Sequence, residues 1–75
     1  MVCITSPDTG EIPTDCEGVI IVGQDAEMAA GRARDLEDGG LRSAVLIGDL
    51  ADASVRAAAR MFAAEIFPGK EIRDL

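Results

Sequence analysis

Seventy-five residues with seven basic and fourteen acidic side chains carry a net charge of −7 and contain no histidine. That is the length of one small domain, and a surface so acidic, with no Lys/Arg cluster, argues against nucleic-acid phosphates and anionic membranes as partners. Without histidine, Ser–His–Asp and Cys–His catalysis within one chain are excluded, and two cysteines alone do not close a structural zinc site.

Val2 to Thr5 is a short apolar run that reads as a strand, and Ser6-Pro7-Asp8-Thr9-Gly10 reads as the turn after it. Glu11 to Gly18, interrupted by Pro13, reads as loop or as the return arm of a hairpin. Val19-Ile20-Ile21-Val22, β-branched throughout and bounded by Gly18 and Gly23, predicts a strand buried on both faces. Asp25 stands at an N-cap position. The helix it opens turns Ala29, Ala33 and Leu36 inward and Glu27, Arg34, Asp35 and Asp38 outward, and Gly39-Gly40 stops it. Ala44-Val45-Leu46-Ile47, ended by Gly48, predicts a second strand of the buried type. Asp52 or Ser54 caps the next helix, in which Val55, Ala59, Phe62 and Ile66 form one stripe and Pro68-Gly69 the end. Glu71 to Leu75 adds a short last strand.

Strands alternating with helices predict a single α/β domain over residues 1–75: a small, mainly parallel sheet of three to four strands with two helices, a truncated Rossmann-like or flavodoxin-like arrangement. Phe62 and Phe67 are the two aromatic residues, so the core is aliphatic and thin, and a second copy or a partner is expected to complete it. The second helix points to where. Beyond its stripe it shows Ala57, Ala58, Met61, Ala63 and Ala64, with Arg56, Arg60 and Glu65 as its charged residues. Such a bare face marks a contact centred on Ala57, Met61 and Ala64; alanine chosen simply as a good surface helix former is the other reading.

Cys3 falls inside a strand, and Cys16 lies between Asp15 and Glu17, whose charge disfavours a thiolate. Both are expected to be reduced thiols. No apolar run approaches the ~20 residues of a membrane span, and Met1 to Thr5 lacks the basic start of a signal peptide; cytoplasmic residence is the expectation. Ligands of an open parallel sheet bind beyond the carboxyl ends of its strands, which places Asp8, Asp25, Asp49 and Asp52 along one edge. There they are helix caps or, grouped, ligands for Mg²⁺. Gly23 and Gly48 are placed for phosphate contact at helix N-termini, but an acidic residue follows each closely.

From Gly18 onward the chain reads Val19-Ile20-Ile21-Val22-Gly23-Gln24-Asp25, then Ala26 to Asp38, Gly39-Gly40, and Ala44-Val45-Leu46-Ile47-Gly48-Asp49-Leu50-Ala51-Asp52. This order resembles the N-terminal nucleotide-binding half of short-chain dehydrogenases/reductases. The resemblance implies an NAD(P)- or adenine-binding edge made by Gly23, Asp25, Gly48, Asp49 and Leu50, with Asp49 and Leu50 at the adenine ring. The chain departs from that family in keeping only Gly10 in the first turn, in having too few residues before Val19 for a first helix, and in lacking the family's catalytic residues. A rhodanese-like domain also fits the alternation, as a non-catalytic member, because Gln24-Asp25-Ala26 carries no cysteine. The expected function is a non-enzymatic interaction module, self-associating or docking on a protein, with the degenerate nucleotide-binding half-domain as the alternative.

Overall fold

The β-branched run after Gly18 forms the most deeply buried strand of the molecule, and the rest of the chain is arranged about it. The computed structural model describes residues 1–75, in the order β1 (Val2–Thr5), β2 (Gly18–Gly23), α1 (Ala26–Asp38), β3 (Arg42–Ile47), α2 (Ala53–Ile66) and β4 (Ile72–Asp74). All four strands are parallel, in the spatial order β3-β2-β1-β4. β1 and β2 are therefore interior and β3 and β4 are edges, an α/β fold of the expected class.

Alternation along the strands divides the core into two layers. Val2 and Ile4 of β1 and Ile20 and Val22 of β2 face α2, packing with Ala59, Ala63 and Phe67. Val19 and Ile21 face α1 and meet Ala29, with Ile12, Ala33, Leu36, Leu41 and Val45 around them. Small side chains on both helices let the backbones approach the sheet closely. Gly18 serves the same end, since a Cβ there would stand 2.6 Å from the Phe67 ring.

The helices begin where their caps stand. Asp25 accepts from the backbone N–H of Glu27 and Met28 at 3.0 and 3.2 Å, and Asp52, not Ser54, is the N-cap of α2. Of the two glycines that stop α1, Gly40 takes the left-handed conformation, with φ +94°.

Three expectations are corrected. The stretch after the first turn is no hairpin arm: β1 and β2 are parallel, and residues 6–17 cross as a loop that seats Ile12 on the α1 layer. β3 is not doubly buried; as an edge strand it leaves Ala44, Val45 and Leu46 half-buried and Ile47 54 % exposed. Ala63, counted on the bare face of α2, is fully buried, because the line of closest approach runs through Ala59 and Ala63.

The cysteines supply a fourth correction. They are joined as the disulfide Cys3–Cys16, with Cα atoms 6.0 Å apart. The parallel register puts Val2 beside Gly18, and the Glu17 N–H donates to the Met1 carbonyl at 2.8 Å. Cys16 is thus carried back against β1. Both sulfur-bearing residues are buried, so the acidic neighbours that flank Cys16 in sequence do not set its chemistry.

Candidate functional site

The carboxyl ends of the strands share one edge of the sheet, and there the structure places Gly23, Asp25, Gly48, Asp49 and Leu50. Each has a local structural task. A Cβ on Gly23 would lie 2.8 Å from Cγ of Pro7, and one on Gly48 would lie 2.9 Å from Cγ1 of Val55. The two glycines are accounted for by close side-chain packing. The Asp25 carboxylate covers the N-terminus of α1, where an anion would otherwise sit. Asp49 Oδ1 accepts from the Ala51 N–H at 2.9 Å, closing the turn between β3 and α2. Leu50 is half-buried against the α2 layer.

Asp52 accepts from both the backbone N–H and the hydroxyl of Ser54, at 2.9 and 2.8 Å, and these bonds hold its carboxyl below the usual range. No three carboxylates approach one another closely enough to hold a metal ion. Asp25, Asp49 and Asp52 act as separate caps and turn-formers rather than as a cluster of three ligands.

The turn after β1 holds a cluster of hydroxyls. Thr5, almost fully buried, donates to the Thr9 hydroxyl, and the Ser6 and Thr9 hydroxyls lie 3.2 Å apart. Ser6 Oγ donates to Asp8 Oδ1 at 2.6 Å, which lowers the Asp8 pKa. The cluster is satisfied internally and fixes the turn against Gly23.

A shallow groove opens beside the β1–β2 loop, lined by Gly10, Glu11, Ile12, Thr14, Arg32, Leu36 and Leu41, with a volume of about 580 Å³. It lies away from the predicted edge residues. Its one cation is tied to the fold: Arg32 donates to the Gly10 carbonyl at 2.5 Å, while its Nε is buried without a partner. Arg32 pins the loop to α1. Sequence reading passed over it because nothing local marks an arginine whose partner lies 22 residues away.

The outer face of α2 is the remaining candidate. Ala57, Met61 and Ala64 are all exposed, Met61 by 72 %. The helix's two arginines are engaged beside that face. Arg56 donates to the carbonyls of Leu50 and Ala51 at 3.0 and 2.8 Å, and Arg60 reaches Asp74 at 3.4 Å. Met61, Ala57 and Ala64 are bordered by Glu65 on one side and by the half-exposed Arg60 on the other.

Compared with protein-family models, curated proteins and solved structures, the chain matches none.

Proposed function

We propose that this chain is a non-enzymatic interaction module that docks through the outer face of α2 on a protein surface, including that of a second copy. The observation that carries this reading is the uncovered Ala57–Met61–Ala64 surface, beside which Arg56 and Arg60 are engaged with Leu50 and Asp74. Helix termini and turns absorb the polar groups at the sheet edge, whereas nothing in the fold uses Met61. Sedimentation velocity from micromolar to sub-millimolar concentration tests it. Wild-type protein is expected to associate, and Met61→Glu to associate less with an unchanged far-UV spectrum. Equal association of the two proteins removes the α2 face from the reading.

A second reading rests on topology. The order β3-β2-β1-β4 is that of the first four strands of the doubly wound dinucleotide-binding fold, whose ligands bind where connections diverge to opposite faces. Here the β2–β3 connection lies on one face and the β3–β4 connection on the other. That supports a degenerate nucleotide-binding half-domain with Asp49 and Leu50 at the base. The Asp25 carboxylate at the helix N-terminus and the packing needs of Gly23 and Gly48 weigh against it. A flat titration with NAD, NADP and ATP would remove this alternative, and saturable binding weakened by Asp49→Ala would establish it.

The disulfide supports a reading of where the protein resides. Such a bond persists in oxidising compartments and is rare in a reducing cytosol, which favours an oxidising location over the expected cytoplasm. Maleimide labelling of protein drawn from cells without reductant decides it, since free thiols would restore the cytoplasm. No helix is long and apolar enough to cross a membrane.

A further inference from the structure

The free edge of β3 offers a surface of different chemistry. In the parallel pairing with β2 the Gly48 N–H donates inward to the Gly23 carbonyl. Peptide groups alternate in direction along a strand. Leu46, Ala44 and Arg42 therefore turn their N–H and C=O groups toward β2, and Ser43, Val45 and Ile47 turn theirs outward. Nothing in the chain pairs with those outward groups, because β3 ends the sheet.

Edge strands are normally blunted by proline, lysine, an inward charge or a bulge. Beyond Arg42, whose charge lies over the Phe67 ring at the start of the strand, Ser43 to Ile47 has none of these, and it ends on Ile47, which is 54 % exposed. The faces beside the edge are unfinished as well. Ala44 and Leu46 stay half-buried on the side that α2 covers, and Val45 on the side that α1 covers.

Resting on the reading that the chain self-associates, we infer that β3 pairs antiparallel with β3 of a second copy about a two-fold axis through Val45. The register follows from which groups point outward. Val45 meets Val45 of the second copy, and Ser43 meets Ile47 in both directions, so every outward N–H and C=O of these residues is paired. On the α2 side Ala44 lies opposite Leu46. Arg42, at the start of the strand, comes beside the Gly48–Asp49 turn of the other copy, while its guanidinium stays over the Phe67 ring of its own chain, 4.9 Å from the centroid. This self-complementarity selects a second copy as occupant. Taken without any α2 self-contact, the two-fold β3 contact closes on itself as a dimer, where a head-to-tail one would grow into a fibre. Each copy carries a charge of −7, so association tightens as salt rises from low to physiological strength.

Amide exchange and sedimentation together test the inference on the oxidised protein. The outward Val45 amide is expected to exchange fast when dilute and to become protected as concentration rises, in wild type and in Met61→Glu alike. Ile47→Lys is expected to abolish that concentration dependence and to weaken association by at least about tenfold, with an unchanged far-UV spectrum. Val45→Pro removes an N–H that the β2 ladder does not use and is expected to do the same. If association persists while Val45 exchange is independent of concentration, the edge pairing is overturned and the interaction module stands. If the wild type is monomeric at every concentration, edge pairing and self-association through α2 both fall.

Discussion

Reduction of the Cys3–Cys16 bond is the most informative perturbation of this fold. The bridge spans 13 positions, and closing a loop of that size in the unfolded chain removes about 10 cal/mol/K, or about 3 kcal/mol at 25 °C. A domain of this length holds only some 4–11 kcal/mol in total. Losing the bond should therefore lower the melting temperature by roughly 12–24 °C. The assay is urea unfolding followed by far-UV circular dichroism, with and without dithiothreitol. The midpoint should fall, while the slope rises slightly because the reduced unfolded chain exposes more surface. The double variant Cys3→Ala/Cys16→Ala should lose somewhat more, since Cys3 is fully buried and its sulfur also fills space. A change below about 1 kcal/mol on reduction would refute the reasoning. It would mean that residues 6–17 are held in the unfolded ensemble by other means, or that the bond does not form.

Gly18→Ala should destabilise by about 1–3 kcal/mol, because the new methyl meets the Phe67 ring; adding Phe67→Leu should recover part of the loss in a double-mutant cycle of chemical denaturation. Asp52→Ala should cost about 1 kcal/mol by the same measurement, read as loss of the α2 cap. Glu17, bonded to the Met1 amino group at 2.7 Å and to Lys70 at 2.9 Å, has its pKa lowered from 4.5 to about 2 by those hydrogen bonds. A depressed pKa stabilises the fold above the unfolded value and loses that contribution as pH falls through the folded one. The melting-temperature gap between wild type and Glu17→Gln should therefore be full above pH 4.5 and close as pH falls toward 2.

Where local chemistry decides the outcome, the sequence is readable. The run from Val19 to Val22, the cap at Asp25, the Gly39-Gly40 stop and the short strand near Ile72 all follow from neighbours in the chain. The burial of β3 did not, because Ala44 to Ile47 has the composition of an interior strand and only sheet order reveals it as an edge. Ala63 was misplaced for a related reason: alanine suits a crowded core line and a solvent face equally well. The disulfide was hidden because it depends on the register that returns Cys16 to β1. The site expectation shows the deepest ambiguity. Glycines and aspartates beyond parallel strands suit a phosphate edge and tight packing with caps alike, and the packing of Gly23 and Gly48 and the capping by Asp25 become visible only in three dimensions.

The sheet's order also schedules its assembly. β1 sits between β2, which begins 16 residues after it, and β4, which begins 70 residues after it. At ribosomal rates of about 5–20 residues per second, the 56 residues from Cys16 to Ile72 take roughly 3–11 s to emerge. During that interval one side of the central strand has no mate. In the folded protein the Cys3–Cys16 tie holds β1 beside β2 whether or not β4 has docked, so that pair keeps its register independently of the last strand.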